Sequence, residues 1–297
     1  MSYWKIIYTL ADRSLFAFDE ALAEIEYQLM EAGAVGVYAE ETGIITAFIE
    51  AASSDVAGTF AQTHLSEQLK TYTIEPVPDT NWTQSSTELL EKIIIEDLTI
   101  IPVADAAAAR AQQQLSKSSS AIFIIPGMGF GTGHHATTKT VMQYLQSSQL
   151  REEAKKWHDQ STPLRILDFG TGSGILALLA RRLFPGALLY AVDNDPAAID
   201  NAIENAQING ITDITFEVDD RPRHQADIII ANIYAELLQQ FEQDFYRQLP
   251  AVGMLITSGI MQEKASLIDS SFPTERWELL DSTTADGWMT RMYRKKG

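Results

Sequence analysis

The chain has 297 residues, of which 40 are acidic and 22 basic, giving a formal net charge of −18, and it contains no cysteine. The missing cysteines exclude disulfides, thiolate zinc sites and a cysteine nucleophile, and the acidic charge argues against binding to long nucleic acids. No apolar run reaches membrane-spanning length, so we expect a cytoplasmic protein with two domains and no membrane partner.

The first 80 residues predict four strands and two helices. Strands are indicated by the apolar segments "YWKIIYTL", "VGVYAEE", "GIITAFIEA" and "TYTIEPVP", and helices by residues 16–33 and 55–69. The resulting βαββαβ order is typical of a small α+β ferredoxin-like domain, an antiparallel sheet with both helices on one face. Such a domain has no chemistry of its own, and we interpret residues 1–80 as a binding domain.

Residues 81–120 carry a weaker pattern, and we interpret them as a linker and extension. Strands are predicted at residues 96–103 and, just beyond the segment, at 121–126. Between them, "ADAAAARAQQQLSKSSS" has few bulky apolar residues. This stretch is either an exposed helix that ends in a flexible tract or a mobile loop.

Residues 121–297 predict a Rossmann-like α/β domain. After Pro163, apolar strands such as "LRILDF", "LLYAVD" and "ADIIIAN" alternate with helices. This pattern indicates a mostly parallel sheet that is covered on both faces. The tail segments "WELLDS" and "GWMTRMYR" predict an antiparallel hairpin at its edge, which brings the sheet to seven strands.

The stretch "DFGTGSG" places three glycines on alternate residues between a predicted strand and a helix from Gly174. Such a turn lies at the carboxyl edge of an α/β sheet, where these folds bind ligands. The dinucleotide pattern GxGxxG would need Gly or Ala at Ile175, so binding of NAD is disfavoured. The pattern of Asp168, Gly170, Gly172 and Gly174 resembles the first motif of class I S-adenosylmethionine-dependent methyltransferases. That resemblance implies that the glycines let the cofactor lie against bare backbone.

Asp193 ends the next strand, ~20 residues after the turn, where an acidic side chain accepts hydrogen bonds from ribose hydroxyls. The alternative role for Asp193 is to cap the helix that follows. Asp195, directly before Pro196, already suits that cap, which leaves Asp193 available for the cofactor.

Asn232 directly follows the apolar part of the fourth strand, again at the ligand edge. Methyltransferases that act on nitrogen commonly carry Asn or Asp there, because the amine needs an acceptor that aims its lone pair at the methyl group. We therefore predict that Asn232 is the catalytic residue. The alternative is a turn asparagine that caps the next helix.

The glycine-rich stretch "PGMGFGTGHHATTKTV" lacks the lysine of a phosphate-binding Walker loop. The adjacent His134 and His135 have no third ligand at suitable spacing, so no metal is expected. Thr137 and Thr138 open a predicted helix. They either cap that helix or place a hydroxyl above the glycine turn.

Taken together, "GFGTGHHATT", "LDFGTGSGIL", "VDNDPAAI" and "ANIYAELL" behind a small βαββαβ domain resemble the PrmA-type ribosomal-protein methyltransferases. These enzymes use S-adenosylmethionine to modify a stalk-base protein of the large ribosomal subunit. The resemblance implies that Thr138, Gly170, Asp193 and Asn232 contact the cofactor, and that the N-terminal domain recognises the ribosomal protein. It also implies that the loop that covers the cofactor contains Phe130, Gly131 and Thr132.

The chain departs from the family pattern at positions on the substrate side. Ile125 replaces an acidic residue, Ala136 replaces a proline, residues 233–236 differ from Leu-Ala-Gly-Pro, and Trp82 is what is left of a tryptophan-rich stretch.

Transfer of methyl groups to lysine or α-amino groups of a protein is the leading hypothesis. Methylation of a nucleic-acid base or a small amine, and a paralogue that binds the cofactor without catalysis, stay as alternatives.

Overall fold

A computed structural model describes most of the chain, which divides into two compact units, Met1–Ser86 and Thr87–Gly297. The residues described are 2–10, 25, 28–29, 32–34, 36–40, 44–65, 69–77, 92–96, 98–115, 121–126, 135–158 and 162–297. Among these residues, no helix combines the length and apolar character that crossing a membrane requires.

The first unit contains a four-stranded antiparallel sheet in the order β2-β3-β1-β4. Its elements are β1 (Ser2–Leu10), β2 (Gly36–Glu40), β3 (Ile44–Ala51), α1 (Ser54–Thr63) and β4 (Leu69–Val77). One face is apolar, because alternate residues of the strands pack with Ala57 and Ala61 of α1. The helix predicted at 55–69 ends earlier, at Thr63. Most of the helix predicted at 16–33 lies outside the described residues.

The second unit is built on a seven-stranded mixed sheet in the order β10-β9-β8-β11-β12-β14-β13. Its strands are β8 (Arg165–Phe169), β9 (Leu188–Asp193), β10 (Thr215–Val218), β11 (Ile228–Asn232), β12 (Met254–Met261), β13 (Trp277–Ala285) and β14 (Trp288–Lys295). The first five strands of that order run parallel, and β14 and β13 are antiparallel to their neighbours. The two C-terminal strands therefore form the predicted hairpin at the edge of the sheet.

Helices cover the sheet on both faces. They are α3 (Ala136–Gln146), α4 (Ser148–His158), α5 (Ile175–Leu183), α6 (Pro196–Ile208), α7 (Ala235–Gln248) and α8 (Ala265–Ser271). Successive residues of one strand enter different cores: Ile166 packs in the core with α3 and α5, whereas Leu167 packs in the core with α7 and α8. A strand buried on both faces needs apolar residues throughout, which explains the continuous apolar runs in the sequence.

The segment interpreted as a linker and extension, 81–120, contributes structure to the second unit. It supplies β5 (Ile93–Ile95), β6 (Leu98–Pro102) and α2 (Ala106–Leu115), and β7 (Ala121–Ile124) completes a small sheet in the order β5-β6-β7. Ile93, Ile95 and Ile100 join the core beside α3 and α5. Of the two alternatives for the alanine-rich stretch, the described part is a helix, and Ala109 within it is fully buried.

Candidate active site

Three neighbouring strands bring the predicted site residues to one edge of the sheet. Strands β9, β8 and β11 are adjacent and parallel, so their carboxyl ends lie side by side. Asp193 ends β9, the glycine turn follows β8, and Asn232 ends β11. The topology therefore assembles residues that are up to 64 positions apart in the sequence, counting from Asp168 to Asn232.

The glycine turn has a left-handed backbone, with φ angles of +75° at Gly170, +53° at Gly172 and +79° at Gly174. A Cβ on Gly170 would run into the side chain of Ile233, which follows β11. Glycine at this position is thus required by the backbone angle and by packing within the protein. Gly174 is the N-cap of α5, as the sequence predicts, and its N–H donates to the Thr171 carbonyl at 2.9 Å.

Asp168 lies beneath the turn and is completely buried. Its Oδ2 accepts a hydrogen bond of 2.6 Å from the hydroxyl of Thr171, and the backbone N–H of Ala177 in α5 also favours the charged carboxyl. Burial raises the pKa of this carboxyl to about 7, which outweighs the opposite effect of the Thr171 hydrogen bond. The sequence groups Asp168 with the cofactor residues, and the structure places it where it supports the turn from inside.

Asp193 connects the end of β9 to the turn. Its Oδ2 accepts the Gly172 N–H at 2.9 Å, and its Oδ1 accepts the Asp195 N–H at 3.1 Å. Asp195 caps α6 by accepting the Ala197 N–H at 2.8 Å, which confirms the prediction for that residue. A carboxylate offers about four acceptor positions, so two backbone contacts leave Asp193 capacity for hydroxyl donors.

Asn232 lies across from α3. Its Nδ2 donates to the Thr138 hydroxyl at 3.4 Å, and its Oδ1 is buried with no hydrogen-bond partner in the described part of the chain. The helix that follows has Tyr234 as its N-cap, so Asn232 does not act as the cap of α7. A buried amide oxygen without a donor is energetically unfavourable, and it marks a position where a ligand N–H would be stabilised.

The interpretation of Thr137 and Thr138 as caps is wrong. Helix α3 begins at Ala136, and His135 is its N-cap, because the His135 Nδ1 accepts the Thr137 N–H at 3.3 Å. The ring of His135 also packs edge-on against Trp288, with 4.8 Å between ring centroids. The hydroxyl of Thr138 is buried and accepts the hydrogen bond from Asn232 Nδ2.

Gly259 in β12 is a site feature that the sequence analysis missed. Its φ is +81°, and a Cβ there would lie 2.5 Å from the carbonyl oxygen of Ile233. The pairing of β12 with β14 shifts register between Thr257 and Ile260, which indicates a bulge. A lone glycine within the apolar strand "LITSGI" is a signal for such a bulge.

Part of the predicted site cannot be placed. Phe130, Gly131, Thr132 and His134 lie outside the described residues. Within the ranges that are described, no group of three or more His, Asp and Glu side chains is arranged to hold a metal ion.

A Rossmann-like sheet with a glycine turn, a strand-end carboxylate and an asparagine at one edge defines this protein as an α/β methyltransferase. A family model described as "Ribosomal protein L11 methyltransferase (PrmA)" matches residues 6–296, and the chain belongs to that family.

Relatives and a solved structure agree with this assignment. A ribosomal protein L11 methyltransferase of Lactococcus lactis subsp. cremoris is 31% identical over 286 residues, which cover 94% of this chain and 83% of the relative. One of Anoxybacillus flavithermus is 31% identical over 75% of this chain and 68% of its own length. For one of Pelobacter propionicus, at 37% identity, the match spans only 57% of this chain and 54% of the relative. The ribosomal protein L11 methylase of Lactobacillus delbrueckii subsp. bulgaricus is 28% identical and aligns with a TM-score of 0.57 over 70% of this chain and all of that one.

The cofactor is S-adenosylmethionine, and the residues at the edge of the sheet suit it. Asp193 offers acceptors for ribose hydroxyls, and the glycine turn leads into the N-terminus of α5, where the helix dipole favours an anionic group such as a carboxylate. The unpartnered Oδ1 of Asn232 lies at the same edge. The donor and acceptor set therefore fits a polar nucleoside that carries an amino acid group.

Proposed function

We propose that this protein transfers methyl groups from S-adenosylmethionine to amino groups, of a lysine side chain or an N-terminus, in ribosomal protein L11. The observation that carries the proposal is the buried amide oxygen of Asn232, which has no hydrogen-bond partner in the described residues and lies beside the glycine turn. The name of the family and of the relatives supports the substrate.

The bound cofactor supplies a methyl group that is already electrophilic, so the protein needs neither a nucleophile nor a metal for the transfer. The harder task is the proton on the substrate amine. A lysine ammonium has a pKa of ~10.4 in water, and making it neutral at pH 7 costs ~4 to 5 kcal/mol unless the site lowers that pKa.

The amide oxygen of Asn232 accepts an N–H from the neutral amine, while its Nδ2 donates to the Thr138 hydroxyl. This hydrogen bond helps to bind the amine in its neutral form. A neutral acceptor orients the amine and stabilises its cation much less than an acidic side chain would. The nearby acids have other partners: Glu236 binds Lys264 at 2.6 Å, and Asp193 accepts two backbone N–H groups. Asn232 is therefore the proposed catalytic residue. Alignment of amine and methyl group is worth up to ~7 to 11 kcal/mol in favourable systems.

The proposed cofactor residues combine described and undescribed positions. The described set lies at the three strand ends and the start of α3, and the loop residues follow β7 in the sequence. They are Thr138, Asp168, Gly170, Gly172, Gly174, Asp193 and Asn232, with Phe130, Gly131 and Thr132.

The first unit is proposed to be a ferredoxin-like domain that recognises the ribosomal protein in the cytoplasm. Its antiparallel strand order, β2-β3-β1-β4, supports this fold, as does the helix α1 between β3 and β4. We place this substrate-recognition domain at residues 1–80, the linker and extension at 81–120, and the methyltransferase domain at 121–297.

The test is incorporation of a radiolabelled methyl group into purified ribosomal protein L11, followed by intact-mass analysis. We expect labelled protein, a roughly 100-fold slower turnover for Asn232→Ala, and unchanged turnover for the exposed control Gln240→Ala. Label in nuclease-sensitive material would favour the nucleic-acid alternative. Cofactor binding without transfer to protein or nucleic acid would favour a paralogue without catalytic activity.

A further inference from the structure

Helix α6 and its C-cap residue carry asparagines that pair with the backbone of β7 and of Ile125, the residue that follows it. Asn209 accepts the Phe123 N–H at 2.9 Å through Oδ1 and donates from Nδ2 to the Phe123 carbonyl at 2.7 Å. Asn205 repeats this pattern two strand residues later, accepting the Ile125 N–H at 2.7 Å and donating to the Ile125 carbonyl at 3.1 Å. Each side-chain amide thus makes both hydrogen bonds that a neighbouring strand would make.

The rise per residue of a helix and of a strand explains why asparagines four residues apart can pair with alternate residues of an extended segment. Four residues of a helix rise about 6 Å, and two residues of a strand rise about 6.6 Å, so positions i and i+4 of α6 face alternate residues of β7. Strand β7 pairs with β6 on one edge, and the asparagines satisfy its other edge. An open strand edge next to a helix is thereby closed without another strand.

Each asparagine also has a further contact: Asn209 donates from Nδ2 to the Asn205 carbonyl at 2.7 Å, whereas Asn205 reaches the glycine turn. Its Nδ2 also donates to the carbonyl of Ser173 at 2.9 Å, and Ser173 is the residue between Gly172 and Gly174 of the turn. Asn205 is completely buried, and its two amide hydrogens and its oxygen all have partners. A buried amide with every group satisfied holds its neighbours in one arrangement.

We propose that Asn205 is a positioning residue for the cofactor: it ties the Ser173 carbonyl of the glycine turn to the end of β7, and so sets the orientation of the backbone that receives S-adenosylmethionine. Asn209 anchors the same strand without touching the turn. The inference rests on the role of the glycine turn in cofactor binding. It adds a residue outside the turn on which that binding depends.

The pair Asn205→Ala and Asn209→Ala separates positioning from general stability. Each variant loses two bonds to the β7 segment and one further bond, which for Asn205→Ala is the bond to the turn and for Asn209→Ala is the bond to the Asn205 carbonyl. We expect Asn205→Ala to bind S-adenosylhomocysteine about tenfold more weakly than Asn209→Ala in calorimetry, because only Asn205→Ala removes a hydrogen bond to the glycine turn. The KM for S-adenosylmethionine rises with it, while kcat at saturating cofactor changes by less than about twofold.

Asn205→Asp provides a second readout that does not depend on the alanine variant folding. A carboxylate repels the Ser173 and Ile125 carbonyls, whereas a protonated carboxyl has one hydrogen that it can donate to the Ser173 carbonyl, which restores part of what the amide provides. We expect cofactor affinity of Asn205→Asp to recover as the pH falls from 8 to 5.5, relative to the wild-type protein at each pH. Equal affinities for the two alanine variants, or an Asn205→Asp affinity that tracks the wild type at every pH, would overturn the proposal. Methyl transfer by the wild-type protein to ribosomal protein L11 is measured separately, so a failure there leaves the affinity comparison interpretable.

Discussion

Replacing Asp168 by asparagine is expected to remove a pH dependence from the stability of the cofactor-free protein. The pKa of Asp168 is raised from 3.8 to about 7 because the carboxyl is fully buried. The folded state therefore keeps a proton that the unfolded chain releases between about pH 4 and pH 7. Folding takes up that proton, so the contribution of Asp168 to the free energy of unfolding falls as the pH rises through this window.

The size of this effect follows from the shift. A change from 3.8 to about 7 is roughly 3 pKa units, and at 1.36 kcal/mol per unit the loss of stability is about 4 kcal/mol. Asparagine has the same shape and no charge, so Asp168→Asn lacks this loss. The difference in stability, variant minus wild type, is expected to grow by up to about 4 kcal/mol between pH 4.5 and pH 8.

Urea denaturation at several pH values, with both proteins measured side by side, gives this difference directly. Thr171→Val is the matched control: it removes the 2.6 Å hydrogen bond to Asp168 Oδ2, which favours the charged carboxyl. Losing that bond raises the pKa of Asp168 further and extends the sensitive window to higher pH. Parallel stability curves for wild type and Asp168→Asn across the whole range would refute the argument.

Three further predictions concern the edge of the sheet. Asp193→Ala is expected to weaken cofactor affinity about 10- to 100-fold in calorimetry, whereas Asn232→Ala mainly lowers kcat; equal, small effects of both would contradict these roles. Gly170→Ala is expected to cost about 2 to 4 kcal/mol in urea denaturation, because its φ is +75° and the new Cβ meets Ile233. In the double variant with Ile233→Ala, the part of this loss that comes from the contact with the Ile233 side chain is expected to be recovered. If the losses of the two single variants simply add, that contact is not the cause. Gly259→Ala is expected to cost at least as much, with no rescue by Ile233→Ala, since its Cβ meets the Ile233 backbone.

The alternation of strands and helices in the second unit could be predicted because strands buried on both faces need unbroken apolar runs. The cap formed by Asp195 could also be predicted, since an aspartate before Pro196 has one strongly favoured conformation. Both signals are local. They depend on residues within a few positions of each other and on backbone preferences that hold in any context.

Other features depend on partners far away in the sequence. Residues 93–102 lie in the segment that the sequence analysis interprets as a linker and extension, and they form two short strands. These strands are buried because they pack against helices that come later in the chain, which the local sequence does not reveal. The cap of α3 was missed because "HHATT" offers several side chains with acceptor atoms. Only the packing of His135 against Trp288 selects the histidine, and that contact spans half of the chain.

The same long-range packing orients the proposed catalytic residue. Ile233 directly follows Asn232, its side chain occupies the space left open by Gly170 after β8, and its carbonyl lies against Gly259 in β12. Ile233 is thus packed on both sides, by its side chain against Gly170 in the turn after β8 and by its backbone against Gly259 in β12. The hydrogen bond from Asn232 Nδ2 to the Thr138 hydroxyl fixes the orientation of the amide, whose oxygen is the atom that can accept a substrate N–H. Glycine is needed at both flanking positions for the protein's own packing, and this packing determines where that oxygen lies.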